Sequence, residues 1–558
     1  MRHCSSNFFY LAIIGLFALF IGSTIHIFWQ KIFQSLLSKE LTLRNNSRIF
    51  NIWKGSNEIS MNMDFYFFNW TNPEELKLPG KKPNLIQVGP YSFIHKTEKV
   101  NIIFHPENNT VSYDTRKFWY FNPSKSNGTL NDKIFHLNVV AVTAANKVRY
   151  WSSFYQSSLS YLLNKLSEIH VVKTVDELLF KGYDDSIINM GKMAMGNVDN
   201  MPPYDKFGWF YLRNGSTLFE GNFNMATGED DIKNIGKAKN WNYKNKTSYY
   251  KLPCNAVEGS TGEFWPPGRD NNDISIFSAD LCRSVTYEYT GKTINHGIEG
   301  NKYEMGDKTL ANHTLRHYTH EKTKYFDKIT TTEDFFNVEH SIINIKNNNI
   351  NNSLNYDTID MGKCFCNGEC SPLGLINVTA CRYGAPGFIS LPHFHKGDPV
   401  LRQQVNGLQP NDKDHSFYIT LEPNTGIPLD VAARLQVNIL LQPSNTIDLF
   451  KNVPKIYLPI MWFDLRGGTT DNLASSLRQI LWLNKIGIYG STILASIGGL
   501  MLIIIGVMQY LKSRQINDQN TRKLNMIQGN VQTEKVYMEI VAKNDENQRN
   551  DCQLYSKN

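Results

Sequence analysis

Residues 8–29 read FFYLAIIGLFALFIGSTIHIFW, an apolar run without one charged side chain. At 1.5 Å per residue, about 20 apolar residues cross the hydrocarbon core of a bilayer. A second run, IGIYGSTILASIGGLMLIIIGVMQYL, fills 486–511, with Lys485 before it and Lys512 and Arg514 after it. The first run is too long for the apolar region of a typical signal peptide, and no small-x-small cleavage site follows closely. Two spans are therefore expected, and every later reading depends on which side of them a residue lies.

Cationic residues collect on the cytoplasmic side of a span. Arg2 and His3 precede the first run; Lys512, Arg514, Arg522 and Lys523 follow the second. Lys31 and Lys485 are weaker counter-signals. The expected layout is a cytoplasmic start (1–7), a transmembrane helix (8–29), an extracellular or lumenal region (30–485), a second transmembrane helix (486–511) and a cytoplasmic tail (512–558). All nine Asn-x-Ser/Thr glycosylation sequons fall between the spans: Asn45, Asn69, Asn108, Asn127, Asn214, Asn245, Asn312, Asn351 and Asn377.

Six cysteines share that side: Cys254, Cys282, Cys364, Cys366, Cys370 and Cys381. An even number in an oxidising space reads as a disulfide framework, and six cysteines allow 15 connectivities. In CFCNGEC (364–370), Cys366 and Cys370 could close a small loop over Asn367-Gly368, which is good turn chemistry. A zinc site is the minor reading, because the spacing is poor and no histidine is near. Cys4 and Cys552 fall on the cytosolic side. Cys4, close to the bilayer, is a candidate for S-palmitoylation.

The chain of 558 residues has a net charge of +7 and no dense Lys/Arg stripe, which argues against a nucleic-acid partner. It carries no GxSxG elbow, Walker loop or dinucleotide fingerprint. Neither enzymatic chemistry, a cofactor nor a metal is expected. LPHFHKGDP (391–399) offers His393, His395 and Asp398, and these read as structural. The Asn-rich run IINIKNNNINNSLNY (342–356) reads as a polar surface loop.

Between the spans, KVNIIFH (99–105), FYITLEP (417–423) and ARLQVNILLQP (433–443) alternate apolar and polar residues. Turn signals separate such runs, which indicates a large, mostly antiparallel β structure. Residues 150–170 differ: Trp151, Phe154, Tyr155, Leu159, Leu162, Leu163, Leu166 and Ile169 recur at helical spacing. Segments 134–148 and 174–182 also read as helices, the latter opening on a Thr174–Glu177 capping box. Their apolar faces either cover a barrel mouth or form a docking or entry surface.

Several blocks in order resemble the class B scavenger receptor family, which includes the fatty-acid translocase and the lysosomal integral membrane proteins. They are NPEELKLPGKKPNLIQVGPYSF (72–93), GWFYLRNGSTLFEGNFNMATGEDDIKNIG (208–236), EGSTGEFWPPG (258–268), FSADLCRS (277–284), CFC (364–366), ISLPHF (389–394), VNGLQPNDKDH (405–415) and LEPNTGIPLDVAARLQVNILLQP (421–443). The resemblance spans nearly the whole chain. It implies an α+β fold: a large irregular antiparallel β-barrel topped by an apical helical bundle at about 134–182, anchored at both ends. It implies the pairs Cys254–Cys364, Cys282–Cys381 and Cys366–Cys370. It also implies an internal lipid tunnel, with Lys165 as the entrance cation; the family's second lysine nearby is replaced by Ser167. The implied partners are lipids, lipoproteins or other lipid-bearing particles. The implied role is a plasma-membrane receptor and lipid transporter, the alternative being protein docking, sorting or adhesion through the apical helices, with lysosomal or endosomal residence.

Residues 512–558 are polar and are expected to lack structure. Within them Tyr537 and Ile540 fit a tyrosine-x-x-apolar sorting signal for an endocytic adaptor, bound in extended form.

Overall fold

A computed structural model describes residues 2–55, 61–195, 204–268, 271–312, 315–319, 356–366 and 370–554. Asn351 and the Asn-rich run up to 355 lie outside the described residues, as do the side chains of Cys4 and Cys552. The chain divides into two compact units, residues 1–36 with 478–558, and residues 37–477.

The first unit is built on two helices, α1 (Arg2–Leu41) and a C-terminal helix (Asp471–Leu554). Both are long and apolar enough to cross a membrane. Small residues let them approach closely. A Cβ on Gly22 would sit 2.4 Å from the Ala495 backbone, and one on Gly498 would sit 2.4 Å from the Leu19 backbone. Trp29 donates to the Asn484 carbonyl at 3.1 Å, and His26 meets Thr492 at 3.2 Å. The C-terminal helix continues to Leu554, where the polar composition had suggested no structure. Runs of Lys, Gln, Glu and Arg are good helix formers, so an established helix can propagate through them.

The second unit holds a 13-stranded sheet. After a short helix, α2 (Arg48–Gly55), its first strands are β1 (Met61–Trp70), β2 (Leu85–His105) and β3 (Thr110–Phe121). Two small pairs follow, β4 (Lys133–Leu137) with β5 (His170–Thr174), and β6 (Tyr183–Asp184) with β7 (Lys206–Phe207). Then come β8 (Phe223–Ala226), β9 (Ala238–Trp241), β10 (Ile274–Ser278), β11 (Arg283–Asn295) and β12 (Ile298–Met305). β13 (Leu315–Thr319) and β14 (Tyr356–Asp360) form a separate pair. The chain finishes the sheet with β15 (Ile376–Asn377), β16 (Gly387–Ser390), β17 (Tyr418–Leu421), β18 (Pro428–Leu441) and β19 (Ile456–Gly468). The main path runs β10-β11-β12-β17-β18-β19-β1-β2-β3-β8-β9.

The two ends of that path are joined by an extended segment. Ser260 bridges Lys237 beside β9 and Ile276 in β10. Gly259 makes this fit possible: its φ is +97°, and a Cβ there would lie 2.6 Å from the Ser275 carbonyl. Gly259→Ala is expected to destabilise the protein by more than about 1 kcal/mol, because it forces both a left-handed strain and a backbone clash at the seam. An unchanged denaturation midpoint would show that the seam tolerates it.

Strand alternation sends adjacent rows to opposite faces. One row reads Leu435–Phe463–Phe65–Tyr91 across β18, β19, β1 and β2. The neighbouring row reads Arg434–Asp464–Asp64–Ser92. Phe463, Phe65 and Tyr91 of the apolar row join a cluster that includes Met63, Phe67, Phe93, Trp119 and Leu178, while Leu435 packs against a second cluster with Ile419 and Leu421. The polar face is buried as well, beneath the chain between residues 390 and 416: Gln436 and Asn438 are fully buried and bonded to each other and to Ser390.

The helical segments differ from their sequence reading. Residues 133–137 form strand β4, and helix α3 (Val139–Val148) begins only at Val139, capped by Asn138 accepting from the Ala141 amide at 3.0 Å. β-branched and aromatic residues at 134 and 135 pair with β5 rather than start the helix. The 174–182 stretch ends β5 at Thr174 and then makes a short π-helix, Glu177–Lys181. The reciprocal cap does form: the Glu177 amide donates to Thr174 Oγ1 at 3.2 Å, and the Thr174 amide donates to Glu177 Oε2 at 2.9 Å.

Candidate functional site

Helices α3 (Val139–Val148), α4 (Ser153–Leu166) and α5 (Ser186–Met195) make one layer. Val139 to Val142, Leu163 and Ile187 pack against Phe68, Trp70, Leu441 and Leu458 from the end of the sheet. α4 is pinned by its polar side: Asp448 accepts from Asn164 Nδ2 at 3.1 Å, and the Asp448 amide donates to Ser160 Oγ at 3.0 Å.

That docking turns part of the aromatic stripe outward. Phe154 is 75 % exposed and Tyr161 66 % exposed, with Tyr150 and Tyr155 also open to solvent. Phe154, Ser157, Ser158, Tyr161 and Leu162 line an open trough along α4. Lys165 follows Tyr161 by four residues, one helical turn on, and is exposed. Among the described residues it has no ion pair. The helical spacing anticipated the apolar stripe; which half of it faces water depends on where Asp448 holds the helix.

Three disulfides close in the structure: Cys254–Cys364, Cys282–Cys381 and Cys366–Cys370. The second ties the β10–β11 turn to the segment after β15, and an ion cluster sits beside it. Arg213 lies 3.2 Å from Asp280, Arg382 lies 3.5 Å from Asp280, and Lys117 lies 2.8 Å from Glu220. Burial pushes the Asp280 carboxyl up, but Arg213, Lys117 and Arg382 outweigh it and hold it well below the usual range.

The described sequons differ in access. Asn45, Asn108, Asn127, Asn214, Asn245 and Asn312 are exposed, and Asn69 and Asn377 are half-buried. Asn214 and Asn312 donate their amides to the carbonyls of Trp119 (3.3 Å) and Ser371 (3.0 Å). Tyr537 and Ile540 are exposed on the C-terminal helix rather than on an extended segment, so docking in extended form would require that turn to unwind.

The histidine motif separates. His393 Nε2 faces Gln87 Oε1 at 2.7 Å, His395 Nε2 faces Asp412 at 3.1 Å, and Asp398 accepts from the Val400 amide at 2.9 Å as a helix cap. Sequence reasoning missed the ring beside His393. It belongs to His415, with centroids 4.4 Å apart. Arg434, 1 % exposed, was also not singled out.

Comparison with known proteins agrees with this architecture. The chain is 33 % identical to Protein peste of Drosophila melanogaster over 90 % of its own length and 82 % of that protein. It is 27 % identical to scavenger receptor class B member 1 of Bos taurus, covering 88 % of this chain and 87 % of the relative. It is 28 % identical to lysosome membrane protein 2 of Homo sapiens, covering 81 % and 84 %. Two of these relatives are named as a scavenger receptor and as a membrane protein of the lysosome, and neither name is that of an enzyme. The model of the CD36 family matches residues 12–509, almost the whole of the chain from the first apolar helix to the second, and the chain belongs to that family.

Proposed function

We propose that this protein is a cell-surface receptor that takes up lipid from lipoproteins or other lipid-bearing particles and passes it through the barrel to the bilayer. The exposed aromatic trough of α4, with the exposed Lys165 one helical turn beyond Tyr161, is the observation that carries this reading. Apolar surface costs about 25 cal/mol per Å² in water, so an acyl chain or sterol gains by lying along Phe154, Tyr161 and Leu162. Lys165 then meets a carboxylate or phosphate at the polar end. Ser167 adds no second cation, so the site suits ligands of low charge, such as cholesteryl ester or a single fatty acid.

On this reading both termini are cytoplasmic, residues 8–29 and 486–511 span the membrane, and the sequons of 30–485 carry glycans. Cys4 is the palmitoylation site, and Tyr537 with Ile540 engages an endocytic adaptor after local unwinding. The test is uptake of labelled fatty acid and cholesteryl ester by cells expressing the full chain. Phe154→Glu with Lys165→Glu is expected to lower uptake roughly tenfold at equal surface expression, a loss of about 1.4 kcal/mol of binding. Uptake no greater than in mock cells, or equal in the variant, overturns the reading.

A second reading rests on Tyr150, Trp151 and Tyr155, since exposed Trp and Tyr are enriched at the anchoring points of protein interfaces. There the helical layer grips a protein partner. A protein adduct cross-linked at residue 155 without lipid uptake would favour it.

A further inference from the structure

The run from His393 to Lys396 is strained, and His393, Phe394 and His395 within it are buried. His393, Phe394 and Lys396 all have positive φ, at 54°, 53° and 54°, which non-glycine residues adopt only when their surroundings hold them there. What holds His393 is a set of neutral-ring hydrogen bonds. The Gln409 amide donates to His393 Nδ1 at 3.1 Å, so that nitrogen carries no proton, and Nε2–H is left to donate to Gln87 Oε1 at 2.7 Å. The Asn411 amide donates to His415 Nδ1 at 2.9 Å, which fixes that ring as neutral by the same logic. Both donors belong to residues 405–415. This loop crosses the polar face of β18 and β19 and is tied to the start of β2 by the Leu85 amide donating to the Asn406 carbonyl.

We propose that His393 and His415 form an acid-sensitive latch, which holds the 405–415 loop against the barrel while both rings are neutral and releases it when they take up protons. A proton on either Nδ1 removes the acceptor and sets two N–H groups face to face. The surroundings oppose a charge there. The second ring stands 4.4 Å away, and Arg434 of β18 donates to the Lys413 and Ser416 carbonyls on either side of His415. Asp464 of β19 is committed to Arg434 and Arg466, Asp412 faces His395, and Lys396 is paired with Glu304. Asp414, within the loop, and to a smaller degree Asp464 favour protonation of His415, whereas His395 and Arg434 oppose it. β1 and β2 present Phe68 and Gln87, which are uncharged. Burial first, and the neighbouring ring second, push His393 down to about 3; burial likewise takes His415 down to about 4. In the open loop both return to the ordinary value near 6.5. The opening equilibrium then rises up to tenfold per pH unit for each histidine below that value.

The experiment is hydrogen exchange on the full chain in detergent micelles from pH 7.4 to 5.0, corrected for the intrinsic exchange rate. Exchange at Gln409 and Asn411 is expected to rise more than about tenfold between pH 6.5 and 5.5, while amides of the β11–β12 hairpin stay protected. In His415→Gln the side-chain oxygen still accepts an amide but takes no proton, so the slope should fall to about tenfold per unit. His393→Gln with His415→Gln should flatten it and keep protection at pH 7.4. Protection unchanged down to pH 5.0, an undiminished slope in the single variant, or simultaneous exposure of loop and hairpin would each overturn the latch. If the double variant fails to fold, the single variant carries the comparison.

Discussion

Arg434→Ala is expected to lower the stability of the barrel by about 3–5 kcal/mol, the cost of breaking a buried ion pair from one side. Arg434 Nε lies 3.1 Å from Asp464 Oδ2, and Nη1 donates to the carbonyls of Lys413 (2.8 Å) and Ser416 (3.1 Å). Removing it leaves two carbonyls without their donor. It also leaves Asp464 beside Asp64, its register partner on β1. Asp64 already sits above the usual carboxylate range, first through burial and also through the Asp464 charge, with the Ser92 hydrogen bond opposing. The half-exposed Arg466, 3.0 Å from Asp464, compensates only in part. Replacing the whole pair, Arg434→Met with Asp464→Leu, should recover much of the loss, since the desolvation of both charges is then avoided. Chemical-denaturation midpoints measure both, and a loss under about 1 kcal/mol in Arg434→Ala would show that the pair is not the brace of this face.

Lowering the pH from 7.4 to 5.0 is expected to cost up to about 6 kcal/mol of global stability, through three histidines held neutral by geometry. Besides His393 and His415, His136 accepts from Trp209 Nε1 at 3.2 Å while its Nδ1 faces the Leu137 carbonyl at 2.6 Å, so neither nitrogen has room for a second proton. Burial pushes His136 down to about 4. The sign follows from proton counts. The folded state binds fewer protons than the unfolded state below pH 6.5, so the stabilisation is complete above 6.5 and is lost progressively as pH falls toward the folded values. At pH 5.0 each histidine is about 1.5 units below its unfolded value, or about 2 kcal/mol. If the 405–415 loop opens first, two of these terms are relieved locally, and the global loss shrinks toward those of His136 and of the buried His95, a fourth histidine that burial also pushes down to about 3. Equal denaturation midpoints at pH 7.4 and 5.0 would contradict the neutral assignments altogether.

Much of the fold is legible locally. Residues 99–105, 417–423 and 433–443 fall in or overlap β2, β17 and β18, because alternation is a property of the strand itself. The helical spacing of 150–170 marks α4 for the same reason. Misreadings occur where a short segment satisfies two patterns: Ile134 and Phe135 suit a helix entry or a strand, and pairing with Lys173 and Val172 decides. The helix through Leu554 shows composition alone misjudging propagation from an established helix. In the candidate site, Lys165 is singled out through family order alone, and the exposure of Phe154 and Tyr161 is not legible in the sequence.

What the chain determines by itself is what short range can encode: two apolar helices, an alternating β sequence between them, an even set of cysteines and the capping residues of its helices. Tertiary structure decides which partner each of the following side chains meets, over separations from 4 to 284 residues. Asp448 sets which side of α4 meets water, Gln409 and Asn411 set the proton positions on two rings, and Asp464 satisfies Arg434. Periodicity repeats over a few residues, but burial and hydrogen-bond partnership arise only when distant strands and loops are brought into register, so no local pattern can carry them.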